Sequence, residues 1–69
     1  MAFAFLYVDA KGDKTERHVN VDTIGPDHIT GFCRLRKSRR TFRIDRIVRA
    51  EMVDIDTGEI IDVLTGEIK

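Results

Sequence analysis

The stretch HITGFCRLRKSRRTFRIDRIVR, residues 28 to 49, decides how the chain folds. Ile29, Gly31, Cys33 and Leu35 share one parity, while Thr30, Phe32, Arg34 and Arg36 share the other. In a strand successive side chains point to opposite faces, so the segment reads as a strand with an apolar face and a basic, partly aromatic one. Residues 37 to 40, Lys-Ser-Arg-Arg, are expected to bend, and the strand spacing resumes at Phe42 and Ile44. The period then changes, because Ile44, Ile47 and Val48 are spaced by three and four. One short helical turn is expected over residues 45 to 48, with Phe42, Ile44 and Ile47 anchoring the core and Arg43, Arg46 and Arg40 outside.

Strand signals continue on both sides. FAFLYV, residues 3 to 8, is rich in aromatic and apolar residues and ends at Asp9-Ala10-Lys11-Gly12-Asp13, whose aspartate and glycine supply turn chemistry. In residues 15 to 21, Val19 and Val21 alternate with His18 and Asn20, so one face is buried and one is wet. Gly25-Pro26 breaks the ladder. A further strand over residues 50 to 55 ends at Asp56-Thr57-Gly58-Glu59, and residues 60 to 64 return as its partner. TGEI at 57 to 60 recurs at 65 to 68, which reads as two successive turns, since a solenoid needs several longer units. Five or six short strands with almost no helical periodicity describe an all-β chain: a small antiparallel barrel or strongly bent sheet. The expected organisation is one domain over residues 1 to 69, with 57 to 69 a peripheral hairpin or tail.

The totals bound the function. A chain of 69 residues buries only about 60% of its unfolded surface, which suits a groove or patch better than an enclosed active site. The apolar fraction of 42% supports a folded core. A single cysteine, Cys33, forms no internal disulfide and fits a reducing, cytoplasmic compartment. The apolar start is too short to span a bilayer and lacks a preceding basic region, so no membrane association is expected.

Formal net charge is +0, yet the charges fall in blocks. Residues 1 to 33 carry five acids and three bases, −2; residues 34 to 49 carry eight bases and Asp45, +7; residues 50 to 69 carry six acids and Lys69, −5. Clustered arginines suit phosphate, because guanidinium is planar, permanently charged and donates two parallel hydrogen bonds. Phe32 and Tyr7 offer stacking faces, worth about 1–3 kcal/mol per base in single-strand binding. Arg34 and Arg36, on one strand face, rank first as contacts. Arg43 and Arg46 flank Asp45, which can hold one of them in a structural ion pair. Lys37 and Arg39 are assigned to general attraction.

Other chemistry finds little footing. His18, His28 and Cys33 lack metal-ligand spacing, and Cys33 has core parity, which marks it as an inert buried thiol. Residues 54 to 59, DIDTGE, lack the ligand spacing of a calcium loop. Ser38 is the only serine and has no base at catalytic spacing, so no enzymatic activity and no cofactor are expected.

Two segments carry a family resemblance. FLYVDAKGDKTERHV, residues 5 to 19, resembles an apolar-tyrosine strand, a D-x-x-G turn and an arginine before the next strand; ITGFCRLRKSRRTFRIDRI, residues 29 to 47, resembles a glycine-aromatic-cysteine strand, a basic bend and R-x-F-R-hydrophobic-D-R-I. Both are similar to the WYL domain of bacterial transcription regulators, over roughly residues 5 to 49. The name-giving tripeptide is here Asp27-His28-Ile29, which keeps only the aliphatic position, and the family's helix-turn-helix pattern does not occur in these residues. The resemblance implies an SH3-like or Sm-like β-barrel that senses a ligand or binds nucleic acid, with single-stranded nucleic acid or a nucleotide as partner. It singles out Arg34, Arg36, Arg40, Arg43 and Arg46, to which the parity argument adds Phe32. The alternative expectation is a protein-interaction or self-assembly module, in which the basic block docks on the acidic tail of a homo-oligomer partner or of another protein.

Overall fold

The computed structural model describes all residues, 1 to 69. It is all-β. Six strands, β1 (Ala2–Val8), β2 (Lys14–Ile24), β3 (His28–Cys33), β4 (Ser38–Arg43), β5 (Glu51–Asp54) and β6 (Ile60–Asp62), form one antiparallel sheet in the order β4-β3-β2-β1-β5-β6. The first four are a meander; two 3₁₀ turns, Ile44–Arg46 and Val48–Ala50, then carry the chain across to the free edge of β1, where β5 pairs. A four-strand meander, a 3₁₀ crossover and a fifth strand returning to the first is the strand order of an SH3-like barrel.

The rings show that the sheet curls. Phe5 on β1 and Phe42 on β4 are three strands apart, which in a flat sheet is about 14 Å. Their ring centroids are 5.3 Å apart and nearly perpendicular, and Tyr7 meets Phe42 at 5.1 Å in the same edge-on manner. Tyr7 Oη also accepts a hydrogen bond from the Arg43 backbone N–H at 3.2 Å, and Tyr7 bridges Ile47. The enclosed core is Phe3, Phe5, Val19, Ile29, Cys33, Phe42, Ile44, Ile47, Met52 and Val63. β2, β3 and β4 contribute through the parity expected of them, β1 adds Phe3 and Phe5, and β5 adds Met52 while leaving Val53 exposed; Cys33 is fully buried.

The stretch 28 to 49 departs from its sequence reading in one respect. β3 ends at Cys33, the bend is residues 34–37 rather than 37–40, and residues 38–40 open β4. Arg34 and Arg36 therefore sit at or in the bend and not along a strand face, and Leu35, expected on the apolar face, is 67% exposed. The physical reason is register. A bend at 37–40 would oppose Leu35 to Phe42, whereas the observed register sets Phe42 opposite the fully buried Ile29, within reach of Phe5 and Tyr7. Both registers keep the same parity, so burial of the larger ring decides between them. The single turn expected at 45 to 48 is two 3₁₀ turns separated by Ile47, whose extended backbone (φ −82°, ψ 123°) lets it bridge β1.

The repeated TGEI segments form two equivalent turns. Asp54 Oδ1 accepts from the N–H groups of Asp56 (2.9 Å) and Thr57 (3.3 Å); Asp62 Oδ1 accepts from those of Leu64 (2.8 Å) and Thr65 (3.3 Å). Thr57 and Thr65 Oγ1 each accept from a glutamate N–H at 3.2 Å. Gly58 and Gly66 lie at φ 77° and 76°, where an L side chain is strained. Gly58→Ala is expected to cost about 1 kcal/mol, lowering the melting temperature by roughly 4–8 °C in a domain this size; an unchanged melt would contradict this turn geometry.

Candidate nucleic-acid interface

Register places each arginine. On β4, Phe42 faces the core, so Arg40 and Ser38 share its face while Arg39, Thr41 and Arg43 point outward. On β3, Phe32 points outward opposite Arg39, and across β2 it lies opposite Asn20. Arg34 continues this outer surface: its backbone N–H donates to the His18 carbonyl at 3.0 Å and its Nη2 donates to Asn20 Oδ1 at 3.0 Å. Phe32 (39% exposed), Arg34 and Arg39 thus form one cluster, with Arg36 and Lys37 at the adjoining bend. Arg39, which the sequence reading left to general attraction, is the residue directly beside the exposed ring.

The other predicted residues lie elsewhere. Arg43 and Arg46 sit at the far end of β4, about 17 Å along the strand from Ser38. Arg43 is held by Asp45 in a forked pair, Nε to Oδ1 at 3.1 Å and Nη2 to Oδ2 at 2.7 Å, as the flanking acid suggested. Next to it His28 Nδ1 meets Asp27 Oδ1 at 2.7 Å, and an open cleft beside Pro26, His28, Arg43, Ile47, Arg49 and Leu64 runs between the 3₁₀ turns and the second TGEI turn. Arg40, expected outside, is on the opposite face of β4 from Arg39 and Arg43, because it is two residues from Phe42 and alternation gives it the face that Phe42 turns to the core. The six predicted residues are therefore not one flat patch. They are an outer cluster at the bend, a second group at the 3₁₀ turns, and Arg40 between them on the inner face.

Ion pairing grades these charges. Of the eight bases in residues 34 to 49, two are in salt bridges, Arg39 to Asp22 (2.6 Å) and Arg43 to Asp45. That leaves six, Arg34, Arg36, Lys37, Arg40, Arg46 and Arg49, with no carboxylate partner. The acids of β5, β6 and the last turns lie at the opposite end of the strand order, and none pairs with this block; Glu51 and Asp62 instead meet Lys69, at 2.8 and 3.9 Å.

Arg17, the arginine that follows the D-x-x-G turn, is not among the candidate contacts, and it lies within β2 and not before it. It shares parity with Val19 and Val21, which was the available signal, and it is 7% exposed, the one charged residue inside the barrel. No group of three or more histidine, cysteine or acidic side chains is arranged to hold a metal. No helix is long and apolar enough to cross a membrane. No family model, curated protein or solved structure matches the chain.

Proposed function

We propose that this chain is a non-catalytic ligand-sensing or regulatory module, of the kind WYL domains provide to cytoplasmic transcription regulators, that binds single-stranded nucleic acid or a nucleotide through its arginine-rich face. The observation that carries the reading is the cluster of unpaired cations at the 34–37 bend beside the exposed Phe32 ring. Surface ion pairs are weak, so the Arg39–Asp22 bridge opens readily to a phosphate. The ring gives a base a stacking surface and the arginines follow the backbone, the combination that single-strand binders use.

The salt slope tests the assignment of contacts. Each phosphate neutralised on a single strand contributes about −0.7 to the slope of log K against log salt. Arg34→Gln combined with Arg36→Gln is expected to flatten the slope for a fluorescent oligothymidylate by about 1.4. An unchanged slope removes these two from the interface. A second reading is favoured by one specific observation, the placement of basic β4 and the acidic β5–β6 hairpin at opposite ends of the strand order. That separation permits head-to-tail association of copies through opposite charge. Sedimentation at low salt distinguishes it, because a monomer at high protein concentration excludes this mode.

A further inference from the structure

Arg17 lies inside the barrel without the partners a buried guanidinium requires. Its Nε donates to Thr15 Oγ1 at 3.1 Å, its guanidinium carbon is 6.0 Å from the centre of the Tyr7 ring, and no carboxylate is within 4.0 Å. Nη1 is buried and has no hydrogen-bond partner at all. Arginine keeps its charge in any environment, so it cannot relieve its burial by losing a proton. A buried charge left unpaired is costly, and such a group calls for an anion to complete it.

The surroundings offer no internal anion and a second cation. Thr15 and Arg17 sit where β2 approaches the β1–β2 turn, and the acid that starts that turn, Asp9, is occupied by the backbone N–H groups of Lys11 and Asp13. Glu16 points to the other face and meets His18 at 2.6 Å. On the far side of Tyr7 the ring of Phe42 lies at 5.1 Å, and two residues earlier on the same inward face of β4 stands Arg40, which has no ion pair. Phe42 packs on Phe5, whose partner on β2 is Arg17, and β4 begins beside that stretch of β2, with Ser38 paired through Cys33 to Val19 and the Arg34 N–H bonded to the His18 carbonyl, so stepping back from Phe42 to Arg40 moves toward the part of β2 that holds Arg17.

We infer that Arg17 and Arg40 form a phosphate site at this end of the barrel, Arg17 from within and Arg40 from the rim. It takes the terminal phosphate of the nucleotide or strand that the outer cluster holds. The inference deepens the nucleic-acid reading and rests on it for the identity of the phosphate's carrier. Two guanidinium forks with a hydroxyl beside them suit a phosphate's several oxygens better than a single carboxylate.

The test compares a short oligothymidylate with and without a 5′-phosphate, on the wild-type chain and on Arg17→Met, which keeps the apolar stem and deletes the charge. The wild type is expected to prefer the phosphorylated strand by about tenfold. Arg17→Met is expected to lose that preference while still binding the unphosphorylated strand. Equal wild-type affinity for both strands, or a preference that survives in Arg17→Met, overturns the site. If neither strand binds, the nucleic-acid reading fails by itself, and titration of ¹⁵N-labelled wild type with inorganic phosphate decides the site. A saturable shift of the Arg17 Nε–Hε resonance supports it, and an unmoved resonance overturns it. That measurement also decides the case if Arg17→Met does not fold.

Discussion

Gly31→Ala is expected to destabilise the protein by about 3 kcal/mol, the upper part of the usual range for forcing an added group into a packed site. A Cβ built on Gly31 would lie 2.3 Å from the Asn20 carbonyl oxygen and 2.9 Å from both Val19 Cγ1 and Val21 Cα. Two of those three atoms make the cost hard to avoid, because they are backbone of the neighbouring strand and move only if β2 and β3 separate. The close approach occurs beside the register shift between Val21 and Thr23, where β2 bends to follow the barrel. Stability of a domain this size is roughly 3–10 kcal/mol, so the variant should melt some 10–20 °C lower or fail to fold. A urea titration checks it, and a loss below about 1 kcal/mol would mean the strands are not packed this tightly.

Phe42→Ala should cost about as much or more, roughly 3–5 kcal/mol. The side chain is 2% exposed and its ring meets Phe5 and Tyr7 edge-on across the core, between the inner faces of β4 and β1. Edge-on aromatic pairs are worth about 0.5–1.5 kcal/mol beyond the area they bury. Deleting the ring removes both pairs and opens a cavity in the core, where the curled sheet packs its inner face on itself. Phe42→Leu, which keeps much of the volume, is the control and should cost less. Near-UV circular dichroism and urea denaturation report the outcome; near-wild-type stability for Phe42→Ala would contradict closure through these rings.

Strand existence and the facing of β2 to β4 were readable from side-chain alternation, and so was the core role of Phe42, Ile44 and Ile47, whereas in β5 it is Met52 that is buried while Val53 is exposed. The repeated TGEI turns were readable too, since aspartate, threonine and glycine each act on their own backbone within a few residues. The position of the basic bend was not. Moving it by three residues along the chain preserves the parity of every pair, and only the burial of Phe42 against Ile29 and across the core against Phe5 and Tyr7 selects the observed register. Local pattern carries no information about that long-range contact.

The same limit shaped the candidate site. Arg34 and Arg36 were expected along one strand face, but both lie in the 34–37 bend; Arg34 stays beside the outer surface through its bond to Asn20, and β4 brings Arg39 opposite Phe32. The Arg43–Asp45 pair was legible because its partners are two residues apart. Arg17 shows the converse case. Its parity with Val19 and Val21 pointed inward, yet a charged residue at an apolar position invites dismissal until its burial and unpartnered nitrogen are seen.

The central claim is that the arginine-rich face binds a single strand, and titration of a labelled oligothymidylate at two salt concentrations tests it most directly. Binding should be clear at low salt and weaken steeply at higher salt as condensed cations compete for the phosphates. The double variant Arg34→Gln, Arg36→Gln should bind less tightly with a flatter salt dependence. Absence of binding at low salt, or binding indifferent to salt, would contradict the account.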